Sequence, residues 1–212
     1  NDVEFDVLFR RHLRNVYRLI GREAPADLDR PIKRGASARV HTLPTDYLKV
    51  TVDGKLSHYF EWLAAGLFHA AGETGAMDRG GPTALSEVRF GFDREQLYVR
   101  CDLAAEARGT LRVEITTADG KTFTLPVPLP WPLGASTPEA VQVPEPVPYQ
   151  YAVDRIVELA AGLEALKIRP GTEVLLRVSL DEPDGNTRQY PATGPIRFTY
   201  PERDLHRTHW VV

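Results

Sequence analysis

Residues 59–62 combine aromatic side chains and a carboxylate in one short segment. Tyr59, Glu61 and Trp62 are residue types that recognise carbohydrate, because flat rings stack on the apolar face of a pyranose and a carboxylate bonds paired hydroxyls. In a strand, Tyr59 and Glu61 would share a solvated face, whereas Phe60 and Trp62 would share a buried one. The alternative interpretation is structural: Phe60 and Trp62 lie in the core, and Glu61 pairs with an arginine.

A second candidate for sugar stacking is Trp131, which lies between Pro130 and Pro132. A stiff loop holds an indole in place at low entropic cost. Tyr149 and Tyr151 would extend the same platform. The structural alternative is a loop that covers a sheet edge and uses its tryptophan as a cap. The candidate substrate-binding residues are therefore Tyr59, Glu61, Trp62 and Trp131.

Motifs for other chemistries are weak. His206 and His209 are three residues apart but lack the third and fourth ligands that a metal site needs. The acidic segment 181–186 does not have the spacing of an EF-hand loop, and a solvated turn explains it. The sequence contains no phosphate loop and no nucleophile elbow. We expect no metal, no cofactor and no catalytic residue in this chain.

Composition indicates an ordinary globular protein. The 212 residues can form one large domain or one domain with an appendage. The net charge is -3 and most basic residues are scattered, which argues against a nucleic-acid partner. No apolar run approaches the roughly 18 residues of a membrane span. We therefore expect no membrane partner. Because the single cysteine, Cys101, forms no intramolecular disulfide, we expect a cytoplasmic protein.

Hydrophobic periodicity divides the chain into three parts. Apolar residues three and four apart predict an amphipathic helix over 2–21, followed by a proline-containing connector over 22–50. The helix cannot bury its own apolar stripe, so we expect it to dock either on the following domain or on chain missing from this sequence. The second possibility, like the first residue, Asn1, fits a fragment of a longer parent. Over 51–212, alternating strands and turns predict a mainly β fold, a two-sheet antiparallel β-sandwich.

Two segments within the sandwich are harder to interpret. Eight prolines between residues 126 and 148 exclude a central strand and indicate an edge strand or a long surface loop. Residues 154–167 fit either a helix or a doubly buried strand, because their apolar residues satisfy both periods.

Several segments resemble the C-terminal part of bacterial glycoside hydrolase family 57 proteins. The matching residues are Leu8–Gly21, Val52–Gly66, Gly75–Arg79, Phe90–Asp93, Leu97–Arg100, Gly194–Ile196 and Pro201. The resemblance implies a parent related to α-amylases and α-mannosidases, with a retaining mechanism on α-glucans and both catalytic carboxylates in an N-terminal (β/α)7 barrel. Nothing in this chain corresponds to that barrel, and the resemblance implies that residues 2–21 are the last helix of a helical segment that follows the barrel in the parent. The resemblance therefore implies a non-catalytic accessory domain that supports the barrel and holds α-glucan. The alternative is a purely structural or subunit-interaction sandwich without sugar affinity.

The sandwich is also similar to carbohydrate-binding module family 9 and DOMON-like domains. The similar segments are Leu97–Asp102, Ile156–Ala160, Leu163–Leu166 and Pro170–Val174. In those domains a strand leads into a one-turn helix before the next strand. This resemblance favours a strand followed by a short helix over 154–167, although Gly162 stands where such modules often have proline.

Overall fold

The computed structural model divides into two compact units, Asn1–Ala36 and Ser37–Val212. It describes residues 9, 12–13, 16–17, 19, 21, 24–25, 42–57, 60–70, 84–130, 132–133, 140–144, 146–192 and 194–202. In the first unit, residues 9, 12–13, 16–17 and 19 are helical. The rest of the predicted helix lies outside the described residues, so the helix over 2–21 stays a prediction.

The second unit consists of antiparallel strands. They are β1 Gly66–His69, β2 Leu85–Phe92, β3 Gln96–Leu103, β4 Gly109–Thr117, β5 Thr122–Leu129, β6 Val141–Val143, β7 Tyr149–Val153, β8 Ile156–Gly162, β9 Glu173–Asp181, β10 Thr187–Tyr190 and β11 Ile196–Thr199. One sheet has the order β1-β2-β3-β8-β7-β6. The other has the order β10-β9-β4-β5, with β11 also paired to β9. The predicted two-sheet β-sandwich is confirmed.

The two sheets enclose a core formed by alternate residues of the strands, as the period of two requires. Aromatic pairs connect the sheets: the rings of Phe90 and Phe198 have centroids 4.8 Å apart, and those of Phe92 and Tyr200 are 4.9 Å apart, edge to face. Such pairs are the favourable geometry for packed rings. The core therefore fixes the two sheets, and the turns at their ends, relative to each other.

The proline-rich stretch begins in an edge strand, as predicted. Pro126 and Pro128 are exposed residues of β5, which pairs only with β4 among the described strands. Because proline has no N–H to donate, the outer edge of a sheet is the place where it is tolerated. Alternate residues of the same strand, Leu125 and Val127, are buried in the core.

Residues 154–167 form a strand followed by a turn. β8 lies between β3 and β7, and six of its seven residues are buried, which confirms the strand interpretation. The predicted one-turn helix is a hydrogen-bonded turn, in which the N–H of Leu166 donates to the carbonyl of Gly162. The turn closes when the N–H of Ile168 donates to Leu163 and that of Lys167 donates to Glu164. This is the hydrogen-bond pattern of a Schellman motif.

We expect Lys167→Gly to stabilise the protein. Lys167 has φ 58°, a left-handed conformation that costs a non-glycine residue about 1–2 kcal/mol. Glycine relieves this strain, but it also raises the conformational entropy of the unfolded chain, which offsets part of the gain. The net stabilisation is about 0.5–1 kcal/mol. Urea unfolding would measure the gain. Lys167→Ala removes the same charge but keeps the strain, so a similar gain in Lys167→Ala would contradict this explanation.

Among the described residues, no helix combines the length and apolar character needed to cross a membrane.

Candidate functional site

A buried carboxylate, Glu158 of β8, anchors residues 42–57 and 60–65, which we call the anchored segment, to the outer face of the six-stranded sheet. Glu158 is fully buried. Its Oε2 accepts hydrogen bonds from the backbone N–H of Asp53 at 3.1 Å and of Gly54 at 3.0 Å, and its Oε1 accepts one from the indole Nε1 of Trp62 at 3.0 Å. The carboxylate thus joins residues about one hundred positions apart in the chain.

The environment of Glu158 shifts its proton affinity. Burial raises the pKa of this carboxyl above its usual value, and the three N–H donors oppose the shift only in part. Removing a charge from water is costly unless hydrogen bonds replace the lost hydration, and here each donor belongs to the anchored segment. The geometry assigns Glu158 to holding the segment in place.

A small apolar cluster surrounds this anchor. Side chains of the segment pack against side chains of the sheet to form it: Leu48, Val52, Trp62 and Ala65 from the segment, and Tyr98, Ala152 and Ala160 from the sheet. The segment also forms backbone hydrogen bonds, from Leu48 N–H to Phe92 and from Thr45 N–H to Ala64. The described part of the predicted connector, residues 42–50, therefore packs on the sandwich.

Residues 60–64 form turns and not a strand, so the face-sharing that a strand would give does not apply to Phe60, Glu61 and Trp62. In these turns the N–H of Leu63 lies near the carbonyl of Phe60, and that of Ala65 lies near the carbonyl of Trp62. Turns rotate successive side chains differently from a strand, so Phe60 is 71% exposed whereas Trp62 is 3% exposed. Phe60 is therefore not a core residue. The core alternative is right for Trp62, whose indole has no exposed face on which a sugar ring could stack.

The other predicted sugar contacts have different outcomes. Tyr59 and Trp131 lie outside the described residues, so their roles stay predictions. The rings of Tyr149 and Tyr151 stack with centroids 6.1 Å apart, but Tyr149 is a core residue whose hydroxyl donates to the carbonyl of Pro126. Burial raises the pKa of Tyr149.

Glu61 lines a groove beside the anchored segment. This Glu61 groove, of about 460 Å³, is lined by Asp46, Tyr47, Leu48, Lys49, Phe60, Glu61, Leu63 and Ala64. Glu61 does not form the predicted arginine pair within the described residues: its Oε1 accepts the N–H of Thr51 at 3.2 Å, and its buried Oε2 has no hydrogen-bond partner. At the rim, Phe60 and Leu63 are 71% and 60% exposed. The groove combines an apolar rim with an acceptor that lacks a donor.

A larger cleft opens at one end of the sandwich. Three turns meet there: the β2–β3 turn, the β4–β5 turn and the turn that follows β8. This loop-end cleft has a volume of about 1440 Å³. Asp119, in the β4–β5 turn, accepts hydrogen bonds from Thr117 Oγ1 and from the N–H of Lys121, which lower its pKa. Asp119 is therefore ionised at neutral pH.

Other candidate chemistries have little structural support. Asp181 accepts hydrogen bonds from Arg112 of β4 and Thr187 of β10, and Asp184 accepts them from Asn186, so these carboxylates already have donors within the sandwich. Burial raises the pKa of the Cys101 thiol, which disfavours the reactive thiolate. Within the described ranges, no three His, Cys, Asp or Glu residues are grouped as a metal site. His206 and His209 lie outside those ranges.

Sequence reasoning missed Glu158 as an anchor, although one signal was present. A glutamate within the otherwise apolar run of β8 marks a buried polar group that needs partners. The loop-end cleft carried no comparable signal, because its walls come from turns far apart in the chain.

Comparison of the chain with protein-family models, curated proteins and solved structures finds no match. The family 57 resemblance stays a prediction.

Proposed function

We propose that the chain is a non-catalytic accessory domain of a larger, family 57-like glycoside hydrolase, and that it supports the catalytic part by packing against it. The observation that carries this proposal is the exposed apolar rim of the Glu61 groove. Phe60 and Leu63 belong to Val52–Gly66, one of the segments that carry the family 57 resemblance, and Leu56 in the same segment is 69% exposed. Exposed apolar side chains grouped beside a groove are typical of interaction sites.

Rigidity of the segment supports the same role. The three hydrogen bonds to Glu158 and the burial of Trp62 fix the backbone from which Phe60 and Leu63 project. A preformed surface loses little conformational entropy on docking.

The non-catalytic assignment comes from the resemblance, because both catalytic carboxylates of family 57 belong to a barrel that has no counterpart in this chain. The subunit-interaction alternative would use the same groove, with another copy or another subunit as partner. The size of the natural protein separates these alternatives.

An immunoblot of the source cells with an antibody against this chain tests the proposal. We expect a band far heavier than 23.7 kDa that coincides with α-glucan hydrolysis in a starch zymogram. A band near 23.7 kDa without associated hydrolysis would overturn the accessory-domain assignment and leave the subunit-interaction alternative.

The double variant Phe60→Ser/Leu63→Ser tests the docking surface. In the isolated chain, these exposed positions should change the free energy of unfolding by no more than about 0.5 kcal/mol each. In the natural protein, we expect a lower midpoint of thermal inactivation of the glucan hydrolase, because docking contacts are lost. Val141→Ser, at another exposed apolar residue, is the matched control. Equal inactivation midpoints for the double variant and the wild type would contradict docking through this rim.

A further inference from the structure

We infer that the anchored segment is hinged, and that it opens from the outer face of the six-stranded sheet as one unit while the sandwich stays folded. Opening removes the docking surface, because the exposed Phe60 and Leu63 project from this segment. The link between opening and docking rests on the proposed function, whereas the opening itself follows from the way the segment is attached.

Both ends of the anchored segment meet at the edge strand β1. Its last residue, Ala65, continues directly into β1, and at its other end Thr42 forms an antiparallel bridge with Leu67. The N–H of Thr42 donates to the carbonyl of Leu67 at 3.4 Å, and the N–H of Leu67 donates to the carbonyl of Thr42 at 3.3 Å. The segment is therefore a loop whose two ends lie together, as in an Ω-loop, and those ends form its hinge.

The anchoring carboxylate holds the segment far from this hinge. Glu158 belongs to β8, the third strand from β1 in the sheet order β1-β2-β3-β8, and three strand spacings amount to about 14 Å. Between these points, the N–H of Leu48 donates to Phe92 of β2, and the ring of Tyr47 lies edge to face on that of Phe92. Opening breaks these contacts without separating any two strands of the sheet.

Hydrogen bonds also join the two halves of the anchored segment to each other. The N–H of Thr45 donates to the carbonyl of Ala64 at 2.9 Å, and the N–H of Thr51 donates to Oε1 of Glu61 at 3.2 Å. Glu158 binds N–H groups from both halves. The halves therefore leave the sheet together, and opening is a single event.

The sheet separates the apolar contacts of the segment from the main core. The buried side chains of the segment pack on the outer face, against Tyr98, Ala152 and Ala160. Neighbours of these residues on the same strands, such as Val99 and Ala161, belong to the main core. Because successive residues of a strand face opposite sides, loss of the outer cluster leaves the main core intact. Such a unit opens at a lower free energy than the whole domain unfolds.

Thiol labelling with iodoacetamide measures the opening. Ala152 is fully buried beneath the anchored segment, and the native Cys101 is buried in the main core on the other face of the same sheet. In Ala152→Cys, we expect the introduced thiol to react at least about tenfold faster than Cys101, as mass spectrometry of the labelled chain would show. Ala161→Cys makes the same substitution on the main-core face and is the matched control. Both of its thiols should react at the slow rate of Cys101.

Amide hydrogen exchange of the unaltered chain provides a second measurement, because Ala152 lies beside Glu158 in register and its substitution alters the surroundings of the anchor. The N–H groups of Leu48 and Gly54 should exchange through one opening. Its dependence on urea should be about a third or less of that in β4 and β9, because the opening exposes little surface. Equal labelling rates of the two thiols in Ala152→Cys, or one common urea dependence for all these amides, would overturn the inference.

Docking in the natural protein should slow the labelling of Ala152→Cys at least about tenfold relative to the isolated chain, because the partner binds the closed segment. An unchanged rate would overturn the link between opening and docking. The two measurements on the chain itself do not depend on a parent enzyme, whereas the immunoblot above does. Fast labelling combined with a band near 23.7 kDa would therefore keep the hinged segment and reject the accessory domain.

Discussion

Glu158→Ala is expected to destabilise the protein by about 3–5 kcal/mol, because three N–H groups, two of them buried, lose their acceptor at once. For a chain of this size, that loss lowers the melting temperature by roughly 10 °C. The effect should begin locally. Amide hydrogen exchange at Asp53 and Gly54 should accelerate more than exchange in β4 and β9, whose ladders do not involve Glu158. Glu106→Ala, at an exposed glutamate, should change stability by less than about 0.5 kcal/mol.

The pH dependence of Glu158 measures how far the burial of this carboxyl outweighs its three N–H donors. Because the pKa of Glu158 is raised in the folded state, the folded protein binds more protons than the unfolded chain at pH values just above 4.5, the usual value for this group. The stabilising contribution of this carboxyl is therefore complete below that pH and is lost as pH rises through the raised pKa.

Glu158→Gln keeps the shape of the side chain but does not titrate. The stability of the wild type relative to Glu158→Gln should therefore fall with rising pH above 4.5, as measured by urea unfolding at several pH values. A constant difference between the two proteins across that range would show that the pKa of Glu158 is not raised in the folded state.

The strands with a complete period-two pattern could be predicted from sequence. β2 to β5, β9 and β11 each bury alternating apolar residues, and local composition is sufficient to mark them. The continuous apolar run of β8 also satisfies a helical period, so local composition alone did not distinguish strand from helix there. The short edge strands β1, β6 and β10 were missed. In β10, three of the four residues are exposed, so its pairing with β9, and not its own sequence, makes it a strand.

The candidate site was harder to predict because its determinants are long-range. Whether Trp62 is exposed depends on Glu158, which is 96 positions away, and this contact replaces the alternation that residues 59–62 indicate. Phe60 shows the reverse case. A large aromatic residue is expected in the core, yet the turn at residues 60–64 leaves it exposed.

Gly109→Ala should be among the most destabilising substitutions in the sandwich, at about 3–5 kcal/mol. Gly109 begins β4 with φ +116°, and a Cβ atom there would lie 2.0 Å from the carbonyl oxygen of Asp181. Its nearest neighbours are backbone atoms of β9 and of Glu182, so no side-chain rotation can relieve the contact. β4 and β9 would have to separate at this end of their hydrogen-bonded ladder.

Gly120→Ala is the matched control for Gly109→Ala. Gly120 also has a positive φ, +78°, but nothing lies within 4 Å of the position that an alanine methyl group would occupy. Its substitution should cost only the backbone strain, about 1–2 kcal/mol. Urea unfolding of both variants separates the steric contact from the strain. Equal losses would mean that β4 and β9 do not approach closely at Asp181, and would call for a different register at that end of the five-stranded sheet.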